Sequence, residues 1–381
     1  MLPLSLYVHL PWCVRKCPYC DFNSYRAGAN PARDRYVDAL LIDLEAEARR
    51  APGRELGTVF LGGGTPSLFT PEHIARILCA VRHQFDLAAD AEITMEANPG
   101  TVECGSPAGY REAGVNRLSI GAQSFSDTAL SVLGRVHAAE DIARAVDEAR
   151  AAGFENLNLD LMHALPGQDV DGAIADIESA AALEPAHISW YQLTLEPNTV
   201  FHARPPGNLP NDELAIDIQE SGQARLRELG YEQYEVSAWA RDGERCRHNL
   251  NYWLFGDYLA AGAGAHGKIT TGAGAWRYAK PANPLSYMRS VEDGHTDVGS
   301  RQLGGDELFF EFMLNALRLP AGFETSLFEQ RTGLSAAVLE GRIEAQLEAG
   351  LMEPAGASGW RPTALGFRFL NDLQASFLPD S

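Results

Sequence analysis

Two kinds of hydrophobic pattern alternate along the first half of the chain. Short continuous apolar runs are typical of buried strands, and the segments between them carry apolar residues at helical spacing. One face of a predicted helix in the segment 31–50 collects the apolar residues Tyr36, Val37, Leu40, Leu41 and Leu44. Strands that alternate with helices predict a parallel sheet with right-handed crossovers.

Six strands with helices between them are predicted before residue 200. The strands are predicted at 4–10, 58–61, 92–96, 115–120, 154–161 and 187–194. The helices are predicted at 31–50, 71–84, 107–113, 138–152 and 170–183. Six strand–helix units fall short of a closed eight-stranded barrel. The predicted fold class is therefore α/β, with a parallel sheet.

The second half of the chain has a different pattern. A helix is predicted at 211–229 and a strand at 231–239. The glycine- and alanine-rich segment 256–267 cannot pack as a helix core, and we expect it to let backbones or a flat ligand approach closely. From about residue 302, closely spaced helices lead to a short two-strand pattern around 359–361, which predicts a winged-helix-like C-terminal domain.

These patterns predict three regions, a core at 1–235, an extension at 236–300 and a C-terminal domain at 301–381. The net charge of -20 argues against a nucleic-acid partner, and the C-terminal region has few basic residues, which favours a packing or lid role. No uncharged apolar run approaches the roughly 18 residues of a membrane span, and the N-terminal segment lacks signal-peptide features. Six cysteines, three of them clustered, fit a reducing compartment, so we expect a cytoplasmic protein.

Three cysteines, Cys13, Cys17 and Cys20, lie within eight residues of one another. Pro11 and Pro18 keep this loop out of any helix. A disulfide would leave one thiol over, so the trio favours ligation of one metal centre. Three protein ligands leave one coordination position open, as in an incompletely ligated iron–sulfur cluster. A zinc site with His9 as fourth ligand, or unrelated thiols, are the alternatives.

The spacing CxxxCxxC, with Tyr19 before the last cysteine, resembles the motif of the radical S-adenosylmethionine (SAM) superfamily. The stretch YVHLPWCVRKCPYCDFNSY at 7–25 resembles the branch that contains the coproporphyrinogen III dehydrogenase HemN and its relative HemW, a haem chaperone. The resemblance implies a partial (β/α)6 barrel with an open side for large substrates. It also implies a [4Fe-4S] cluster on Cys13, Cys17 and Cys20, with SAM chelating the fourth iron.

Polar residues follow several predicted strands, namely Glu96, Gln123, Asp160 and the glycine run 62–64. The carboxyl ends of parallel strands meet on one side of such a barrel, so these residues are expected to lie together. The glycine run is a weak signal that an ordinary tight turn explains equally well, and Glu96 has a surface or capping role as its alternative.

The resemblance assigns these positions to SAM. Gly64 and Thr65 would contact its amino acid moiety. Glu96, Gln123 and Asp160 would hold its ammonium and ribose hydroxyls, and Arg135 its carboxylate. Tyr7 would lie near SAM, although packing in the core is the equal alternative, and Tyr19 would pack against the adenine or shield the cluster.

The segment HNLNYW at 248–253 matches the HNxxYW motif that marks HemW relatives and is tied there to haem. The resemblance makes His248 the candidate haem ligand, because imidazole is a common axial ligand of haem iron. Cys246 is a candidate second ligand, with a free thiol as the simpler interpretation. A turn built by Asn249 and Trp253 and capped by His248 is the alternative without haem.

The leading hypothesis is a haem chaperone that carries haem to an unidentified acceptor protein. The alternative is coproporphyrinogen III dehydrogenase, and a third is another radical SAM activity on a large substrate. HemN proteins carry an extension before the motif and a further cysteine directly after its last ligand. Here the motif begins at Tyr7 and Cys20 is followed by Asp21, which favours the chaperone.

Overall fold

The computed structural model describes residues 2–28, 31–100 and 105–379. The strands, in chain order, are β1 (Leu4–Leu10), β2 (Trp12–Cys13), β3 (Tyr25–Arg26), β4 (Glu55–Gly63), β5 (Asp86–Ala97), β6 (Arg117–Gln123), β7 (Asn156–His163), β8 (His187–Gln192), β9 (Glu232–Gln233), β10 (Ala238–Ala240), β11 (Asp257–Ala261), β12 (His266–Thr271), β13 (Gly274–Ala279), β14 (Gly299–Gln302), β15 (Phe323–Glu324), β16 (Met352–Ala355) and β17 (Gly359–Pro362).

The helices, in chain order, are α1 (Arg33–Ala48), α2 (Pro71–Gln84), α3 (Pro107–Ala113), α4 (Asp127–Val132), α5 (Ala139–Ala151), α6 (Val170–Ala182), α7 (Val200–Ala203), α8 (Asp212–Glu228), α9 (Arg247–Trp253), α10 (Pro284–Glu292), α11 (Gly305–Ala316), α12 (Thr325–Thr332), α13 (Ala336–Glu348), α14 (Ala364–Arg368) and α15 (Leu370–Ala375). A 3-10 turn covers Pro66–Leu68. No helix in the described ranges is long and apolar enough to cross a membrane.

The six predicted strands of the first half pair side by side in chain order, as β1, β4, β5, β6, β7 and β8. Each pair of neighbouring strands is parallel, and the connections between them contain the helices α1, α2, α3, α5 and α6. At one end of the sheet β10 and β9 follow antiparallel, and at the other end β11 pairs parallel with β1 and is followed by the antiparallel strands β12, β13 and β14. Twelve strands of the described chain thus form one sheet. The sheet begins at β14 and ends at β9 without closing on itself, which confirms the α/β prediction of an incomplete barrel.

Side chains alternate between the two faces of each parallel strand. In β1, Leu4, Leu6 and Val8 join the hydrophobic core beneath the helices. The opposite face carries Ser5, which accepts a hydrogen bond from Thr58 of β4, and Tyr7. The barrel interior is therefore lined largely by polar side chains, while the apolar core lies between the sheet and its helices.

One segment of the second half differs from its prediction, and a second segment agrees with its own. The expected strand 231–239 is a hairpin of two short strands, β9 and β10, which pair antiparallel. The glycine- and alanine-rich segment contains β11, which pairs parallel with β1, and the start of β12. A Cβ at Gly262 would lie 2.4 Å from the carbonyl oxygen of His9, which confirms the expected close backbone approach.

The C-terminal part has its own hydrophobic cluster. Its main contributors are Phe309, Phe312, Phe328, Leu339 and Ile343 from helices α11, α12 and α13. A three-stranded antiparallel sheet in the order β15, β17, β16 completes it. Helices followed by a small β-hairpin confirm the winged-helix-like prediction.

Candidate functional site

The cysteine loop leaves β1 at the carboxyl ends of the parallel strands. Strand β2, which contains Cys13, pairs parallel with β3 and closes the loop at its base. Within the loop, Cys20 N–H donates to the Cys17 carbonyl oxygen at 3.2 Å. The Lys16 ammonium donates to the carbonyl oxygens of Phe22 and Ser24. All three thiols are free and partly exposed, so the loop holds them available for ligation.

The three thiols line one cavity of about 450 Å³. This volume lies within the range of roughly 300–1,000 Å³ that is common for small-molecule sites. The predicted site residues that line it are Cys13, Cys17, Tyr19, Cys20, Gly64, Thr65, Glu96, Gln123, Arg135 and Asp160. Strands β4, β5, β6 and β7 thus bring together residues that are far apart in sequence.

Two carboxylates face this cavity, Glu96 and Asp160. Burial and the neighbouring Asp160 charge raise the pKa of Glu96 to about 7. Burial also raises the pKa of Asp160, although Asn158 and Ser119 donate hydrogen bonds to it. Neither carboxylate forms a salt bridge among the described residues. Two carboxylates of this kind favour a cationic ligand group in the cavity.

A cationic side chain, Arg135, lies beside the thiols. One terminal nitrogen donates to the Cys17 sulfur at 3.6 Å, and the other donates to Asn98 and to the Gly121 carbonyl oxygen. Its Nε is buried and has no partner in the part of the chain that the structure describes. A guanidinium with an unused buried donor next to a thiol suits an anionic group in the cavity.

The glycine turn packs against the cysteine loop. Gly64 N–H donates to the Leu10 carbonyl oxygen, and Thr65 N–H donates to the Trp12 carbonyl oxygen. A Cβ at Gly64 would lie 2.7 Å from the Trp12 carbonyl oxygen. The backbone amides of Gly64 and Thr65 are therefore already paired within the chain. The glycines permit a close approach that fixes the loop over the strand ends.

Gln123 has an unusual backbone, with φ of 68°, in the left-handed region that side chains other than glycine rarely adopt. Its side-chain oxygen accepts a hydrogen bond from the Tyr191 hydroxyl at 2.8 Å. Backbone strain of this kind concentrates at functional sites. Here it turns the Gln123 side chain toward the cavity at the end of β6.

The sequence did not single out Asn98, Ser119 or Tyr191, which also line the cavity. Asn98 joins Arg135 to Thr65, since it accepts from the guanidinium and donates to the Thr65 hydroxyl. Ser119 and Tyr191 lie on inward positions of β6 and β8. The only sequence signal for Ser119 and Tyr191 is that alternate side chains of a strand face the same side. The sequence alone does not tell which of the two sides faces the barrel interior.

The residues present fit an iron–sulfur cluster, because three free thiols line one cavity. Within 2–28, 31–100 and 105–379, no group of three His, Cys, Asp or Glu side chains converges closely enough to hold one metal ion. In a cluster each thiolate binds a different iron, so its sulfurs lie further apart. His9 Nε2 donates to the Asn23 carbonyl oxygen and Nδ1 accepts from the Tyr7 hydroxyl, so both ring nitrogens have partners, which does not favour His9 as a zinc ligand.

Two predicted site residues do not line the cavity. Tyr7 lies on β1, stacks on Phe60 with ring centroids 6.2 Å apart and bonds His9 through its hydroxyl. His248 lies on α9, which packs against β1 and β4 toward their amino-terminal ends. The structure therefore separates His248 from the cysteine cavity along the barrel axis.

His248 is only 1% exposed, and both of its ring nitrogens have partners. Nδ1 is 2.8 Å from the Thr58 hydroxyl, and Nε2 is 3.1 Å from the Tyr252 hydroxyl. Burial, with the Arg117 charge, lowers the pKa of His248 to about 3, so the ring is neutral. A neutral imidazole suits iron, but axial ligation requires at least one of these bonds to open. Cys246 is fully buried, and burial raises its pKa to about 12.

Comparison with known proteins identifies the class. Residues 7–180 match the Radical SAM superfamily, and residues 303–369 match the HemN C-terminal domain. The structure of coproporphyrinogen III oxidase (HemN) from Escherichia coli, a radical SAM enzyme, is similar with a TM-score of 0.83 and 25% identity, covering 99% of this chain and 90% of that chain. This chain is a radical SAM protein, a class that implies a [4Fe-4S] cluster and SAM.

Full-length relatives define the family. Heme chaperone HemW of Escherichia coli K12 is 46% identical over 99% of both chains, and that of Haemophilus influenzae is 45% identical over 99% of this chain and 98% of its own. The mitochondrial radical S-adenosyl methionine domain-containing protein 1 of Bos taurus is 40% identical over 86% of this chain and 75% of its own. The chain belongs to the HemW family.

Proposed function

We propose that this chain is a haem chaperone, which binds haem and transfers it to an acceptor protein while carrying a [4Fe-4S] cluster and exchangeable SAM. The observation that carries the proposal is the 46% identity with a protein named heme chaperone HemW over 99% of both chains. Three free thiols at a cavity with two carboxylates and one guanidinium support its cofactor part. Haem is the cargo, and the acceptor is an unidentified protein.

In the proposed site, Cys13, Cys17 and Cys20 hold the cluster as thiolates. Burial raises the pKa of Cys13 and Cys20, so ligation releases protons that the free thiols retain at neutral pH. When bound, the cluster supplies an iron with an open position at which SAM is chelated. The Arg135 guanidinium beside Cys17 stabilises negative charge on that sulfur.

The remaining cavity residues orient SAM. Glu96 and Asp160 suit its ammonium and hydroxyl groups, because both carboxylates lack a cationic partner at salt-bridge distance in the described chain. Gln123 offers its amide from a strained backbone position, and Arg135 offers its buried Nε to the SAM carboxylate. Tyr19, which packs near Phe201, covers one side of the cavity. Gly64 and Thr65, which bond to the cysteine loop, would form the wall of the cavity beside the cluster.

The alternative function is coproporphyrinogen III dehydrogenase, favoured by the similarity to HemN over 99% of this chain. That enzyme's fold is shared here, so the fold does not separate the two activities. The residue after the last ligand does differ from the HemN pattern, since Cys20 is followed by Asp21 and Phe22. The two functions predict different products and are separable by experiment.

The first test is an anaerobic haem titration of the cluster-loaded protein, followed by its Soret band. We expect saturation near one haem per chain and transfer to an added apo-haemoprotein. A His248→Gln variant retains hydrogen-bonding groups in the buried pocket but lacks an imidazole, and His266→Ala, at an exposed strand position, is the matched control. An altered Soret band in His248→Gln alone would support His248 as the axial ligand.

The possible outcomes distinguish haem binding by the protein from the role of His248 as the haem ligand. Saturable binding that is equal in wild type and His248→Gln keeps the chaperone function and moves the ligand elsewhere. No saturable binding contradicts haem carriage. Conversion of coproporphyrinogen III by the reduced, SAM-supplied protein would instead establish the dehydrogenase.

A further inference from the structure

A chain of buried hydrogen bonds runs through the barrel interior from the cysteine cavity to α9. Its upper end is Asp160, which lines the cavity. Its lower end is Cys246, the residue that precedes α9. Between them lie Asn158, His187 and Tyr234, which are all buried. None of these three residues belongs to the predicted cofactor sites.

Asn158 forms the first link, and its amide is fully used. The Nδ2 group donates to Asp160 Oδ1 at 2.8 Å and to Ser119 Oγ at 2.7 Å. The Oδ1 atom accepts from His187 Nδ1 at 2.6 Å and from Ser189 Oγ at 3.0 Å. Both donors and the acceptor therefore have partners, and the amide orientation is fixed with its donors toward the carboxylate.

His187 forms the second link. An amide oxygen can only accept, so the proton of this ring lies on Nδ1. Burial, with the Arg117 charge, lowers the pKa of His187 well below its ordinary value, so the ring is neutral. Its Nε2 therefore accepts, and the Tyr234 hydroxyl donates to it at 2.8 Å. The Tyr234 oxygen in turn accepts from Cys246 N–H at 3.2 Å.

Every donor in this chain points toward Asp160. Cys246 donates to Tyr234, Tyr234 donates to His187, His187 donates to Asn158, and Asn158 donates to the carboxylate. Hydrogen bonds aligned in one direction polarise one another. A ligand that binds to the Asp160 carboxylate therefore changes the strength of every hydrogen bond in the series. The last of these is the bond from Cys246 N–H to the Tyr234 oxygen, just before α9.

We propose that Asn158, His187 and Tyr234 are positioning residues that couple occupancy of the cavity by SAM to the conformation of α9, the helix that carries HNLNYW. The inference rests on the proposed function only in that SAM binds this cavity, and it does not require haem. Coupling of this kind is reciprocal, so the factor by which SAM shifts the conformational equilibrium of α9 is also the factor by which the α9 conformation changes the affinity for SAM.

The test compares Tyr234→Phe with Tyr231→Phe by hydrogen exchange of the backbone amides in 246–254, using cluster-loaded protein with and without saturating SAM. Tyr234→Phe removes the hydroxyl that joins His187 to Cys246 and keeps the ring. Tyr231→Phe removes an equally buried hydroxyl, which donates to the Pro185 carbonyl oxygen outside the series. In wild type and Tyr231→Phe we expect SAM to change α9 exchange by at least about five-fold.

In Tyr234→Phe we expect the SAM-induced change to fall below about two-fold, with a matching shift in the SAM dissociation constant. An α9 exchange rate that does not respond to SAM in wild type overturns the coupling. A Tyr234→Phe variant that exchanges faster by one factor with and without SAM shows a structural role only and also overturns it. Failure of SAM to bind wild type removes this inference and the cofactor part of the proposed function together, whereas failure of the haem titration leaves the exchange result intact.

Discussion

Glu92 and Glu96 lie four residues apart on β5 and face the same barrel interior, yet their surroundings differ. Glu92, near α9, accepts from Arg247 N–H at 2.9 Å, from His248 N–H at 3.0 Å and from the Cys246 thiol at 3.5 Å. Glu96, at the cavity, accepts from Gly63 N–H at 3.0 Å. One carboxylate is satisfied by the chain, and the other faces a space that a ligand can enter.

This contrast extends to the two ends of the barrel. At the α9 end, the buried His248 has partners on both ring nitrogens, and Glu92 holds the start of the helix, where a carboxylate also interacts favourably with the helix dipole. At the cavity end, Arg135 Nε has no partner among the described residues, and the pKa of Glu96 is raised to about 7. Unsatisfied groups that line a cavity favour a ligand site, whereas the paired side chains of Glu92 and His248 favour a structural role.

The largest expected effect is at the cavity end. Replacing Cys17 with Ser removes one of three proposed cluster ligands, and we expect loss of the iron–sulfur absorption of anaerobically reconstituted protein, with far-ultraviolet circular dichroism unchanged. Cys79→Ser, at an exposed thiol on α2, is the control and should retain the absorption. A complete cluster in Cys17→Ser would contradict the assignment of the ligands.

The contrast between the two ends also shows what the sequence could and could not predict. The cysteine spacing, the strand-end residues Glu96, Gln123 and Asp160, and helix α2 at Pro71–Gln84 depend on local pattern, and the structure has them where predicted. Thr70 and Pro71 mark the start of α2. The Thr70 side chain caps a free amide of the first turn, and proline fits the first helical position because the amide there would have no partner within the helix.

Features that depend on distant partners were missed. Strand β11 lies within the glycine- and alanine-rich segment and forms because the edge of β1 is available to it, which no local pattern encodes. The pairing of the Gly64 amide with the Leu10 carbonyl and the burial of His248 against Thr58 likewise join segments far apart in sequence. The roles of Tyr7, Tyr19 and His248 toward ligands stay predictions.

The second effect tests the α9 end. In Glu92, the two carboxylate oxygens accept from the backbone amides of Arg247 and His248. Glu92→Gln replaces one of these oxygens with an NH2 group, which cannot accept, and so leaves a buried donor unpaired. We expect the apparent free energy of unfolding to fall by about 2–3 kcal/mol, measured by urea denaturation. Cluster absorption should remain. A variant as stable as wild type would show that this network is not satisfied in the way the structure indicates.

The third prediction concerns Glu96, where we expect a substitution to raise the free energy of unfolding instead of lowering it. Its folded pKa of about 7 exceeds its ordinary value of 4.5, so the folded protein binds this proton more tightly than the unfolded chain. The stabilising contribution is present below pH 4.5 and is lost as the pH rises through 7. In ligand-free protein, Glu96→Gln should therefore be more stable than wild type at pH 8 by about 1–2 kcal/mol, with solvent in the cavity limiting the effect.

The matched measurement for Glu96 is urea unfolding at pH 5 and pH 8. The advantage of Glu96→Gln should shrink at pH 5, where the wild-type carboxyl is already protonated. The same variant should bind SAM more weakly at pH 8, because it lacks the negative charge that suits an ammonium. An equal stability difference at both pH values would contradict a raised pKa at this position.

The smallest effect concerns the Tyr252 hydroxyl. Thr58 donates its hydroxyl proton to Ser5, so it accepts from His248 Nδ1, and His248 Nε2 must accept from Tyr252. Tyr252→Phe leaves this buried nitrogen without a donor, and we expect a loss of about 1 kcal/mol in unfolding free energy. A double-mutant cycle with His248→Gln measures the coupling directly. Zero coupling energy would show that the hydrogen bond between His248 Nε2 and the Tyr252 hydroxyl contributes nothing to stability.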